Sequence, residues 1–279
     1  MTLWQAVLLG IVEGITEFLP VSSTGHLTIA EELLGLPVDD PGITAFTALI
    51  QVGAIAAVLV YFHTDIRMLA VAWGRGLVVP AERQRPECQT AWYIIAGSIP
   101  IGVVGFLAKD LVAGPLRSLW VVAVALMAWS LVMYLAEHVS VRRGHAARVL
   151  TLRDSLVIGM VQCVAWVPGV SRSGATISAA LFRGLDRVTA TRVSFFLSIP
   201  ALVAAGAYEG VTTASQISAT VAWWPTVVAT AVSFAVAYAS IAWLLRLVAG
   251  HPITVFVGYR IGLALLLIAG LVTGLLSNT

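Results

Sequence analysis

The sequence predicts an all-α polytopic membrane protein: six transmembrane helices and two re-entrant helix–loop–helix elements, related as an inverted-topology internal repeat. Three observations lead there. Hydrophobic residues make up 59% of the chain and charged residues only 11%, with a mean hydropathy of +0.95, whereas soluble domains run nearer a quarter charged. Six apolar stretches are long enough to cross a bilayer, which takes about 20 residues each. Two further stretches, GIVEGITEFLPVSSTGHL (10–27) and GMVQCVAWVPGVSRSGATI (159–177), are apolar at their flanks but polar and Gly/Pro-broken at their centres. With no long polar block, residues 1–279 form a single membrane domain. The net charge of +2 is small and points to no nucleic-acid partner. Cys88 and Cys163 lie far apart and read as neither a disulfide nor metal ligands. The N-terminus lacks the basic region and small-residue cleavage site of a removable signal peptide.

Taken in order, residues 3–19 look helical until Pro20 and a Ser/Thr/Gly cluster, and helical character resumes over 27–34 before Gly35-Leu36-Pro37 and the Asp39-Asp40 turn. Each arm is too short to span, so a helix–break–helix that enters and leaves on one side fits better. Irregular backbone at such depth must be buried in protein or face water. Spans are expected at about 43–63, 91–108, 118–137, 193–211, 223–248 and 255–276, with a second broken element at 155–183. The segments 64–90 and 138–154 read as polar connections. Trp73, Trp92, Trp120, Trp223 and Trp224 fall near span ends, as interfacial anchors do.

A shift of 149 superposes the two broken elements: Gly10 on Gly159, Val21 on Val170, Ser22 on Ser171, Gly25 on Gly174 and Gly35-Leu36 on Gly184-Leu185. Repeat one is about 1–137 and repeat two about 155–279. One re-entrant element plus three spans is an odd number of crossings, so the second half is expected upside down, with its site near the midplane where the broken helices meet. Arginine orients the whole. Arg67, Arg75, Arg83, Arg85, Arg142, Arg143, Arg148, Arg153, Arg183, Arg187, Arg192 and Arg246 fall on one side, against mainly Lys109 and Arg117 on the other. The positive-inside rule makes the Arg-rich side cytoplasmic.

Charged residues sunk in apolar sequence ask for a function, since each costs about 2.5–3.5 kcal/mol at the bilayer centre. Glu13 and Glu17, four apart, share a helix face. They can hold a divalent cation with water and substrate oxygens, supply a general base, or line a vestibule. Ser22, Ser23, Thr24, Gly25 and His26 follow Pro20, where free N–H groups at a helix start can bind an anion. One hydroxyl could act as nucleophile and His26 as its acid or base. Arg172, flanked by Ser171, Ser173, Gly174 and Thr176, carries a donor fork suited to phosphate; the alternative, a structural pair that only neutralises Glu17, is what the repeat argues against. Arg260 is expected to snorkel from the start of the last span, and Gln51 to hydrogen-bond between helices. The acids and histidine of one copy and the cation of the other suit one composite phosphate site. Inverted repeats are also transporter architecture, so a lipid-phosphate flippase is the second reading. An inert scaffold leaves the buried charges unexplained.

EGITEFLPVSSTGH (13–26) together with PGVSRSGATIS (168–178) and IQVGAIAAV (50–58) resembles the bacterial undecaprenyl-diphosphate phosphatases of the bacitracin-resistance type. That resemblance implies removal of the terminal phosphate of undecaprenyl diphosphate, recycling the lipid carrier for envelope polymers. It carries over Glu13, Glu17, Ser23, His26 and Arg172 as active-site residues, and Ser22, Thr24, Ser171, Ser173 and Thr176 as phosphate-site neighbours. It also implies dependence on a divalent cation (Mg2+ or Ca2+ held by Glu13 and Glu17), an inner-membrane location and a site open to the outer face. Homodimerisation stays open.

Overall fold

A computed structural model of the chain describes residues 1–38, 40–113, 118–143, 148–212 and 221–276. Asp39, Arg117 and the side chain of Lys109 lie outside the described residues. Among the described residues, six helices are long and apolar enough to cross a membrane: α3 (Pro41–Tyr61), α5 (Pro86–Ala113), α6 (Leu119–Arg143), α9 (Arg187–Thr212), α10 (Trp223–Gly250) and α11 (Val255–Val272). They match the six expected spans to within a few residues at most ends. Two helical hairpins accompany them. The first joins α1 (Leu3–Thr16) to α2 (Ser23–Leu33); the second joins α7 (Leu152–Gln162), through a 3-10 turn at Cys163–Trp166, to α8 (Arg172–Phe182).

Two expectations change. The first hairpin's return arm starts at Ser23 rather than 27, because the Ser/Thr/Gly cluster itself forms its first turn, with Ser22 in the N-cap position. The polar connection 64–90 is largely helical: α4 (His63–Val78) and a 3-10 turn at Pro80–Gln84. Hydropathy alone passes over α4, which mixes Arg67 and Arg75 with Met68, Val71 and Leu77.

Local chemistry sets the boundaries. Asp40 caps α3 by accepting from the Gly42 and Ile43 N–H groups (2.7 and 3.2 Å), with Pro41 in the first helical position, where its missing N–H is harmless. Both hairpins begin with a Thr whose backbone N–H donates to a polar side chain three residues on: Thr2 to Gln5 (2.8 Å) and Thr151 to Asp154 (3.1 Å). These same side chains close the open end of each hairpin. Gln5 donates to the Leu34 carbonyl (3.3 Å), and Asp154 accepts from Arg183 (2.7 Å). Each closing residue in the second hairpin stands 149 positions after its counterpart in the first.

The open ends lie at opposite ends of the bundle. Ala6 and Leu9 of α1 pack with Ile43, Phe46, Val221 and Ala229, near the N-terminal ends of α3 and α10. The second hairpin's open end belongs with the C-terminal end of α3, where Arg192 pairs with Asp65 (2.8 Å) just beyond Tyr61. Beside it Arg187 pairs with the buried Glu137, which also accepts from the Ile253 N–H (3.1 Å), and Arg143 donates to the Phe182 carbonyl (2.6 Å). At about 1.5 Å per residue, the 21 residues of α3 separate these two ends by about 31 Å. Each first arm leans on a span from the other half of the chain. A Cβ on Gly10 would stand 2.5 Å from the Ala229 carbonyl of α10, and one on Gly159 only 1.9 Å from that of Gly97 in α5. Only glycine permits either approach.

Candidate active site

The tips of the two hairpins meet in the interior. Ser22 and Ser171, 149 apart, carry φ of 78° and 74°. Such a conformation is uncommon outside glycine and costs on the order of 1–3 kcal/mol each. Each serine holds the N-cap position of the return arm that follows, Ser171 accepting from the Gly174 N–H and Ser22 without such a bond, so two helix N-termini converge with their N–H groups and positive dipole ends. The tips are bonded to one another as well. The Gly169 N–H donates to Ser22 Oγ (3.0 Å), and Ser171 Oγ reaches the Leu19 carbonyl (3.4 Å) while accepting from the Gly174 N–H (3.2 Å). Ser173 Oγ lies 3.1 Å from Ser171 Oγ. Gly174 and Gly25 sit where a Cβ would press on Ser171 and Val122 respectively.

Arg260 holds this junction. Its side chain is fully buried, and it donates to the carbonyls of Pro20 in one tip (3.0 Å) and of Gly169 and Val170 in the other (2.9 and 3.2 Å), with Ser130 Oγ at 3.1 Å. The snorkelling expectation is therefore corrected. The carbonyls of two broken helices offer a better-shaped acceptor set than the membrane interface, and the guanidinium fork fills it.

Around the junction the reactive groups assemble. Glu17, buried just past the end of α1, takes three donors: Ser23 Oγ on Oε2 (2.7 Å), Gln51 Nε2 on Oε1 (3.3 Å) and the Arg172 guanidinium, also on Oε1. Arg172 is partly exposed while Glu17 is not. Glu13 lies one turn earlier, within electrostatic reach of Glu17 and Arg172, and its buried Oε1 has no partner. Thr176 turns away, bonding Ser194 Oγ (2.6 Å) and the Arg172 carbonyl (2.9 Å), so it steadies the arm that carries Arg172. Thr24 is exposed at the tip. His26 shows no bond to Ser23. Its Nδ1 lies 2.7 Å from the Ser22 carbonyl and its Nε2 2.6 Å from the Tyr259 hydroxyl.

Of the residues singled out by sequence, Glu17, Ser22, Ser23, Ser171, Arg172 and Ser173 come together where the two tips meet, with Glu13 one turn back, His26 beside them and Thr176 turned away, and Gln51 joins them as a helix–helix hydrogen bonder. Sequence reading missed Tyr259 altogether. It also missed the structural use of Arg260, whose local sequence is the same for a snorkelling side chain as for a caged one. Among the described residues no cluster of three or more His, Cys, Asp or Glu gathers to form a metal cage. Glu17 is fully engaged, so the donor set fits a hard divalent cation only through the free oxygen of Glu13, with substrate oxygens and water completing the shell. A hydroxyl on a buried carboxylate, a guanidinium beside it and two helix N-termini form an arrangement suited to phosphoryl transfer.

Comparison with known proteins agrees with that chemistry. Residues 6–266 match the family model described as bacitracin resistance protein BacA. The chain is similar to undecaprenyl-diphosphatase 3 of Frankia casuarinae, at 56% identity over 279 residues covering 100% of both chains. It is also similar to the undecaprenyl-diphosphatases of Acidothermus cellulolyticus (52% identity, 97% of each chain) and Cutibacterium acnes (54%, 95% of each).

Proposed function

The chain belongs to the bacitracin resistance protein BacA family, and from that premise we infer that it is a multi-pass membrane enzyme hydrolysing undecaprenyl diphosphate to undecaprenyl phosphate and inorganic phosphate. The activity recycles a lipid carrier and opposes bacitracin. One observation carries the chemistry: Ser23 Oγ sits on Glu17 Oε2 with Arg172 on the same carboxylate. The diphosphate enters between the tips from the outer face of the inner membrane. The polyprenyl tail follows the apolar groove of about 510 Å3 between α1 and α10, lined by Ile15, Leu19, Val236, Ala239 and Trp243.

Incoming phosphate competes with Glu17 for Arg172. Once the guanidinium turns to the phosphate oxygens, Glu17 is left with neutral donors and accepts the Ser23 proton as Oγ attacks the terminal phosphorus. The bond to the undecaprenyl phosphate oxygen breaks, and Arg172 with the N–H groups of α2 and α8 stabilises the equatorial oxygens. Water then attacks the phosphoserine and releases phosphate. A divalent cation, Mg2+ or Ca2+, held at Glu13 would neutralise part of the diphosphate charge. The resemblance of the two hairpins residue by residue at a 149 offset supports gene duplication. Open ends at opposite bundle ends support re-entrant elements dipping from opposite faces, with the Arg-rich end cytoplasmic.

The test is phosphate release by purified protein with undecaprenyl diphosphate, combined with rapid quench. A phosphorylated Ser23, lost in Ser23→Ala together with activity, is the expected result. An active Ser23→Ala enzyme would replace this scheme with direct attack by water. No phosphate release at all would return the chain to the flippase reading.

A further inference from the structure

The pairing of His26 with Tyr259 lies outside everything the scheme above uses. His26 stands in the first turn of α2, and its Nδ1 is 2.7 Å from the Ser22 carbonyl. A carbonyl oxygen only accepts, so Nδ1 must carry a proton, and in the neutral ring Nε2 is then the lone-pair nitrogen. The Tyr259 hydroxyl lies 2.6 Å from that nitrogen and donates to it. The rings are stacked as well, with centroids 5.6 Å apart and planes within 13°. The hydroxyl meets the in-plane lone pair at the ring edge and so fixes the imidazole there.

Tyr259 owes its place to its neighbour. Successive residues on a helix project about 100° apart, so clamping Arg260 in the carbonyl cage of the two tips sets the rotation of α11 and swings Tyr259 onto His26. The bland alternative is an aromatic anchor at the membrane interface. An anchor directs its hydroxyl to headgroups or water, whereas this one is spent on an imidazole, although the side chain is 53% exposed.

We propose that Tyr259 is a positioning residue for the phosphatase reaction, holding His26 in the Nδ1–H form with Nε2 aimed away from Ser23, toward the exposed side of the site. Two proton acceptors are thereby separated: Glu17 serves Ser23, and His26 Nε2, whose one lone pair takes the Tyr259 hydroxyl in this state, serves a hydroxyl or water that displaces it. This rests on the reading of His26 as part of the phosphatase site, and the experiment separates the two.

The full-length protein in detergent is compared with Tyr259→Phe, Tyr259→Leu and His26→Gln by phosphate release from undecaprenyl diphosphate and by 15N NMR of labelled imidazoles. The His26 resonances are identified by their loss in His26→Gln. Tyr259→Phe, which keeps the ring and removes only the hydroxyl, is expected to shift the His26 Nε2 resonance and lower kcat roughly 10-fold with KM within about twofold, general acid–base steps contributing on the order of 100-fold or more. Tyr259→Leu loses at least as much, and in the His26→Gln background neither change has further effect. An unshifted Nε2 resonance and unchanged kcat in Tyr259→Phe overturn the proposal, as does an undiminished effect in the His26→Gln background. Full activity in His26→Gln with the Nε2 shift still present in Tyr259→Phe removes His26, and with it Tyr259, from the reaction while leaving the contact intact.

Discussion

The two helical hairpins are nearly the same object built twice, with opposite chemistry at their tips. Both start on a Thr that donates to a polar side chain three residues later, both return through an 11-residue arm, and both bend at a serine with positive φ. Yet the first carries Glu13, Glu17, Ser23 and His26, while at those offsets the second has Gln162, Trp166, Arg172 and Ala175. The backbone of a hairpin, then, is one requirement and its reactivity another. Neither tip is electrically satisfied alone. Glu17 finds its cation, and Arg172 its anion, only when the two meet, so assembly of the fold and of the site are one event.

That comparison can be broken at its strongest point by removing the charge that joins the tips. Arg172→Gln should lower the rate of phosphate release by about 10^3-fold while Thr176→Val, which touches only the supporting arm, costs much less. Comparable losses in both would deny Arg172 a privileged role. Next comes the shared clamp. Arg260→Leu leaves the carbonyls of Pro20, Gly169 and Val170 unpaired and should destabilise the protein by roughly 3–5 kcal/mol. Thermal unfolding in detergent measures this, and a near-neutral result would mean that the tips hold each other without it.

A smaller effect tests the open ends, one neutral and one ionic. Gln5→Ala should cost about 0.5–1 kcal/mol. Asp154→Ala should cost about 1–2 kcal/mol, since the two arginines it releases remain partly solvated. The smallest effect is on pH dependence. Burial pushes the Asp154 carboxyl up, but the Thr151 hydroxyl, the Arg183 hydrogen bond, the Thr151 N–H and the Arg148 charge together outweigh it and hold the group below its ordinary value. Its contribution is therefore complete above an unfolded value of about 4 and is lost as pH falls through the lower folded one. Unfolding midpoints followed from pH 6 to 3 should converge between wild type and Asp154→Ala, whereas Gln5→Ala should keep a constant offset.

Much of this was legible in the sequence because it is local or periodic. Pro20 and Gly169 mark the breaks, apolar run length marks the spans, and the 149 offset marks the repeat. Gln51 was legible as a helix–helix bonder because a lone amide in an apolar span has few other uses. Tyr259 and Arg260 were not legible, since their partners lie 233 and up to 240 positions away. An Arg near a span end carries the same local signature whether it snorkels or is caged. α4 escaped for another reason: its apolar and charged residues average out in a hydropathy window, and only packing shows the helix.

The Arg260 cage also bears on motion. A carrier that exposes its centre to each face in turn must let one half rock against the other, and here a single guanidinium is fastened to both halves at the pivot. Each transport cycle would have to strip the Pro20 carbonyl, or those of Gly169 and Val170, from that grip and restore it. Hydrolysis asks for no such excursion, because a headgroup can arrive, react and depart through the same opening while the pivot stays locked.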